Sequence, residues 1–177
     1  MSTGPCATRT PRPWYDYVED FVGISGREEG LPQLPDGKFL PPMEFNCAEH
    51  VVREALSRNF GAERVLTMGR VAMLTREHRG RAPCHYCGPC ERGCATRSYF
   101  SSLNATLPEA QATGRLTLRP HSVVESLLYD EHDVPNLFVT DGSAMTSSSC
   151  VNPSITYMML TARACDYAVK EMDLGRI

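Results

Sequence analysis

The chain has 177 residues, 42% of them hydrophobic and 22% charged, with a formal net charge of -3. That length suits one domain, or one and a half, around a real core, and the composition excludes a disordered polymer. The 18 basic and 21 acidic side chains leave no charge excess for nucleic acid or an anionic membrane surface, and no apolar run is long enough to span a bilayer.

Met1 to Arg12 contains two arginines with no apolar stretch behind them. It does not read as a secretory signal, so a cytoplasmic location is expected. Residues 1–45 read mostly as loop, because Pro11-Arg12-Pro13, Leu34-Pro35-Asp36-Gly37 and Leu40-Pro41-Pro42 oppose regular structure. Between them, Trp14 to Val22 fits a short helix with Tyr17, Val18 and Phe21 on one face. Asn46 has the character of a helix N-cap, and Glu49 three residues on completes a capping box. Ala48, Val51, Val52, Ala55, Leu56 and Phe60 follow at helical spacing, and Gly61 ends the run. This helix is expected to pack against a sheet.

A short helix is expected to end near Gly114. Leu116 and Leu118, then Val123 to Tyr129, then Asn136 to Thr140 read as strands. Asp141-Gly142 breaks the last of them as a turn. Asn152 would cap a long final helix with Pro153 in its first position. Its buried stripe would be Ile155, Met158, Met159, Ala162, Cys165 and Val169, and Gly175 would mark its end.

Of eight cysteines, Cys84, Cys87, Cys90 and Cys94 sit together as C-x2-C-x2-C-x3-C, while Cys6, Cys47, Cys150 and Cys165 are scattered. Disulfides between such near neighbours would close strained small loops, which favours a reducing compartment. Bacterial ferredoxins hold iron–sulfur clusters with this spacing, although a proline follows their last cysteine where Ala95 stands here. Gly88, Pro89 and Gly93 would let one loop curl so that several thiolates converge. The alternatives are a tight loop with buried thiols, or zinc, which usually requires two knuckles separated by a longer spacer.

At the other end, a strand, an Asp-Gly bend, a small-residue crossover (Ser143 to Ser149) and an Asn-Pro helix start follow in order. Free N–H groups and partial positive charge concentrate at such a start, which suits an anion or a simple capped helix.

These residues resemble the glucose-methanol-choline (GMC) oxidoreductases, which use FAD. The run from Val134 through Asp141-Gly142-Ser143, with Asn152-Pro153-Ser154-Ile155-Thr156, is similar to their C-terminal signature. Trp14 through Tyr129 resembles a bacterial branch of that family, in its WYDYVEDFVGISGREEG, LPDGKFLPP, cysteine-run and TLPEAQATGRLTLRPHSVVESLLYD stretches. The resemblance implies an incomplete α/β, Rossmann-like FAD-binding fold with a mixed sheet and a C-terminal helix. Two regions are expected: 1–131, a partial FAD-binding region with the cysteine loop at 84–94, and 132–177, a strand–turn–helix segment completing it.

By the same resemblance, Asp141 and Gly142 would lie against the FAD diphosphate and ribityl chain, and Val124 by the adenine. Asn152 and Pro153 would approach the pyrimidine edge of the ring, with Asn152 facing the reacting alcohol as the catalytic residue. Cys84, Cys90 and Cys94 would be the ligands of an iron–sulfur cluster passing electrons to a partner. The implied reaction oxidises the CH–OH group of a small alcohol or sugar, a histidine taking the hydroxyl proton while hydride passes to the flavin.

Two parts of the family pattern are absent. No two glycines of this chain are separated by a single residue, so the G-x-G-x-x-G turn is missing. Tyr129-Asp130-Glu131 runs almost directly into His132-Asp133-Val134 where the family inserts most of its substrate domain, and His132 does not match the catalytic histidine. The chain therefore reads as a truncated and internally deleted flavoenzyme, with little or no activity alone. The competing class is a small iron–sulfur electron-transfer or metal-binding module built on the cysteine run.

Overall fold

The computed structural model describes residues 12–31, 34–123, 138, 140–142, 145 and 152–177. The chain divides into two compact units, Glu19–Gly114 and the pair of segments Met1–Val18 and Arg115–Ile177. Four α-helices occur among the described residues: α1 (Arg12–Val22), α2 (Cys47–Phe60), α3 (Thr106–Ala112) and α4 (Ser154–Asp173), with a 3-10 turn at Cys90–Arg92.

α1 begins on Arg12-Pro13, where a proline costs nothing because the first helical N–H groups have no internal partner. Val18 and Val22, four residues apart and so on one face, are its buried positions, while Tyr17 is exposed. The helix stops at Gly23, whose φ of 77° is the left-handed value that glycine adopts freely. The Ile24 N–H bonds the Glu19 carbonyl at 3.0 Å and the Gly23 N–H bonds that of Asp20 at 3.2 Å, a Schellman closure. A Cβ on Gly23 would run into Leu74 and His78.

Behind that bend, extended segments of the Glu19–Gly114 unit cross one another at single points. Ser25 pairs with both Leu40 and Val71, and Met73 with Tyr99. Ser98 takes the place of a strand neighbour: its Oγ accepts from the Leu74 N–H at 2.8 Å and lies 3.2 Å from the Leu74 carbonyl. Val22, Leu40, Leu74 and Ala105 are the buried apolar side chains there, beside buried Ser25 and Ser98. The turn His78–Arg81 closes on itself through Arg79 and Gly80, with φ of 49° and 68°. It presents two donors to the end of α1, His78 Nε2 to the Asp20 carbonyl and Arg81 Nη2 to the Val22 carbonyl, both at 2.6 Å.

The expected α/β fold with a mixed sheet is not what forms. Among the described residues there are isolated bridges and no sheet. Two of the pairings end beside prolines: Leu40 is followed by Pro41-Pro42 and Arg81 by Ala82-Pro83, and a proline has no N–H to extend a ladder. Leu116 and Leu118, expected in a strand, are irregular and exposed. The strands expected at 123–129 and 136–140 fall largely outside the described residues.

α2 forms as the capping signal requires. The Glu49 N–H donates to Asn46 Oδ1 at 3.0 Å, and Glu49 Oε2 accepts from the Asn46 N–H at 2.7 Å. Its expected packing against a sheet does not occur. No α2 residue is buried, and Val51 and Val52 are 64% and 50% exposed. In α4 only Met159 of the expected stripe is buried, whereas Cys165 and Val169 are exposed. No described helix is long and apolar enough to cross a membrane.

Candidate functional site

The unit containing α4 brings the Asp-Gly bend to the beginning of that helix. Three contacts record the path. The Phe138 ring meets the edge of Tyr167 at 6.2 Å, Thr161 Oγ1 donates to Thr140 Oγ1 at 2.8 Å, and Gly142 lies against Tyr157. Phe138, Thr140 and Gly142 thus meet Tyr167, Thr161 and Tyr157, positions that step back from the fourth turn of α4 towards its first, in the opposite sense to the helix. At Gly142 a Cβ would lie 3.3 Å from Tyr157 Oη, so a side chain would crowd the approach.

Among the described residues the start of α4 carries no side-chain cap. Its cap position is Pro153, with φ −87° and ψ 31°. Tyr157 N–H to the Pro153 carbonyl, at 3.0 Å, is the first helical bond. Asn152, expected as the cap, stands one residue too early because the backbone of Pro153 is not yet helical, and its side chain is exposed. Uncapped first-turn N–H groups, with the positive end of the helix dipole, are an anion-binding arrangement. Tyr15 also reaches this turn, its hydroxyl 3.1 Å from Thr156 Oγ1.

Asp141, Gly142, Asn152 and Pro153 thus fall around one end of α4, while Val124 lies outside the described residues. Sequence reasoning did not single out Tyr157 and Thr161, which hold the returning segment on the helix. Their one signal is spacing, since residues four apart share a helix face.

The cysteine loop lies in the other unit. Cys84, Cys90 and Cys94 are half-buried free thiols and Cys87 is exposed. Among the described residues no group of three or more His, Cys, Asp or Glu side chains is placed to hold a metal ion. Nothing therefore supports the expected iron–sulfur cluster. The sulfurs are instead tied locally: Cys84 Sγ accepts from the Tyr86 N–H at 3.3 Å, and Cys94 Sγ from the Tyr99 N–H at 3.4 Å. Burial pushes the Cys94 thiol up, but hydrogen bonds from the Thr96 hydroxyl and from the N–H groups of Tyr99, Thr96 and Ser98 outweigh it. The result is a thiol held below its ordinary value.

Residues 108–161 match the family model described as GMC oxidoreductase. The matched stretch runs from within α3 to the second turn of α4, so it contains both the Asp141-Gly142 bend and Asn152-Pro153. Residues 108–161 thus carry a C-terminal segment of the GMC oxidoreductase type. The chain is also 44% identical over 141 residues to the 2-methyl-1,2-propanediol dehydrogenase of Mycolicibacterium austroafricanum. That alignment takes in 77% of this chain and 21% of the relative, so the chain spans about a fifth of the relative's length. No solved structure matches. The matching family implies FAD as its cofactor.

Proposed function

We propose that this chain supplies the wall of a GMC flavin site that faces the pyrimidine edge and the reacting alcohol. The enzyme served would oxidise the CH–OH group of a small alcohol or sugar. The observation that supports this reading is the uncapped start of α4, with the exposed Asn152 beside it and the Asp141-Gly142 bend returning to its first turn.

When bound, FAD would supply the hydride acceptor. The residues here fit its polar edge. The first-turn N–H groups and the helix dipole favour negative charge at that point. Gly142 leaves its backbone face bare where a Cβ would meet Tyr157. The Asn152 amide, not used as a cap, is available to hold the alcohol oxygen and orient its C–H bond. The relative's name refers to a vicinal diol, which makes a small diol the first substrate to test.

The chain by itself lacks the glycine-rich turn for the pyrophosphate, and no histidine in it matches the family base. It is therefore expected to bind FAD weakly and not to turn over alcohol. The test is the absorption spectrum of the purified chain, a fluorescence titration with added FAD, and an assay on 2-methyl-1,2-propanediol with an artificial acceptor. A colourless protein with weak FAD binding, weakened further by Asn152→Asp, and no turnover is the expected result. A yellow protein with stoichiometric flavin would overturn the weak-binding part. FAD binding indifferent to Asn152→Asp would overturn the assignment of the α4 start.

A further inference from the structure

In the Glu19–Gly114 unit a cavity of about 450 Å³ opens between the start of α2 and the segment 65–68. That volume is in the range of small-molecule sites. The apolar part of its lining is Pro42, Met43, Phe45, Val65, Leu66 and Met68, and two of these are methionines, which adapt to ligands of varied shape.

Arg53 decides what such a site would take. Its guanidinium lies 5.0 Å over the Phe45 ring, and its Nη2 is 3.3 Å from His50 Nδ1. The Phe45 and His50 rings are themselves in edge contact at 5.8 Å. The cation is thus positioned by two rings, with the rest of its planar fork of donors uncommitted to any carboxylate. Glu29 and Glu44 line the same cavity, yet no ion pair joins either of them to Arg53. Glu29 instead accepts from the Thr67 hydroxyl. Arg27 adds a second cation to the lining.

We infer that this cavity is a binding site for a small monocarboxylate with an apolar tail, its carboxylate held by Arg53 and its tail against Met43, Leu66 and Met68. Arg53 is exposed, but its guanidinium, placed over Phe45 and beside His50, offers paired donors to a carboxylate. Glu29 and Glu44 balance the two arginines, so a single negative charge is accommodated and a dianion is disfavoured. The site uses none of the residues assigned to the flavin wall.

Calorimetric titration of the full chain with benzoate tests this, with benzyl alcohol and phenyl phosphate as the uncharged and dianionic controls. Saturable one-to-one binding of benzoate is expected, with both controls weaker by about tenfold or more. Arg53→Gln should weaken benzoate by about tenfold, and Arg27→Gln, exposed like Arg53 but with no ring placing it among the described residues, by about two- to threefold. In the unsubstituted chain, benzoate should shift the methyl resonances of Met43 and Met68. Absence of saturable binding, equal binding of benzyl alcohol, an Arg53→Gln protein that is folded and binds as before, or unmoved Met43 and Met68 methyls would each overturn the inference.

Discussion

Arg81 Nη2 donates to the Val22 carbonyl at 2.6 Å, so a guanidinium 59 residues along the chain closes the last turn of α1. Arg81 is buried, and burial pulls its pKa below the ordinary value while Glu109 opposes the shift. The group stays charged at any working pH, so its positive charge also complements the negative end of α1. Arg81→Met keeps the stem and removes the donor, leaving the Val22 carbonyl without it. A loss of about 1–3 kcal/mol is expected from urea unfolding. An unchanged midpoint would show that the α1 end is held by its Schellman bonds alone.

α2 buries no side chain, so its stability rests on local terms to an unusual degree. The reciprocal bonds between Asn46 and Glu49 satisfy two N–H groups that the helix leaves open. Asn46→Ala should cost about 1 kcal/mol. Amide exchange across residues 47–60 should speed up, while the amides of Ser25 and Val71, paired elsewhere in the unit, stay as they were.

Which of these features were legible beforehand follows from their range. Asn46 with Glu49 and the glycines at 61 and 114 are signals within a few residues, and helices form where they point. Arg12-Pro13, by contrast, reads as opposing regular structure yet opens α1 two residues before the expected Trp14. The apolar spacing of Val51 and Val52 disclosed a face but not whether anything would cover it. The expected sheet failed for a related reason. Alternation in sequence does not say whether a pairing will extend, and here Ser25 pairs at single points with Leu40, which prolines follow, and with Val71, while Ser98 meets Leu74 through its side chain. Pro153 shows the same limit on a smaller scale, since its fixed φ suits a first helical position while its ψ of 31° makes it the cap. At the candidate site, Asp141-Gly142 and Asn152-Pro153 were readable as turn and helix start. Their meeting depends on Tyr157 and Thr161, contacts that arise only once the segment at 138–142 has doubled back.

The Gly142–Tyr157 approach is testable by adding and then removing atoms. Gly142→Ala would place a methyl 3.3 Å from Tyr157 Oη. The hydroxyl must give way slightly, for an expected cost of about 1 kcal/mol at this exposed bend. Tyr157→Phe removes that oxygen, so the double variant should recover much of the loss. A double-mutant cycle of thermal unfolding measures the coupling. Additive effects would mean that the bend does not rest on Tyr157.

The cysteine loop should behave as free thiols. Native-state alkylation followed by mass spectrometry should label exposed Cys47, Cys87 and Cys165 ahead of half-buried Cys84, Cys90 and Cys94. A metal chelator should leave the unfolding midpoint unchanged, because no described cluster of side chains is placed to hold an ion. Selective protection of Cys84, Cys90 and Cys94, with visible absorption and acid-labile sulfide, would instead establish a cluster.

The end of α4 makes a prediction with a definite sign. Arg176 Nε and Nη2 each lie 2.6 Å from a Glu171 oxygen, a two-pronged pairing, while the Arg176 N–H bonds the Glu171 carbonyl at 2.9 Å past Gly175 at φ 64°. The hydrogen bonds from Arg176 hold the Glu171 carboxyl below its ordinary value, against a smaller opposing effect of burial. A carboxyl whose folded pKa is depressed stabilises the fold above its unfolded value, about 4.3. That contribution is lost as the pH falls through the lower, folded value. Carbon-detected NMR titration should place the Glu171 carboxyl below the other glutamates of the chain, and Arg176→Gln should return it to the ordinary range. Because the pair is at the surface, salt should weaken the shift, and a Glu171 titration that neither salt nor Arg176→Gln moves would mean that the pairing does not persist in solution.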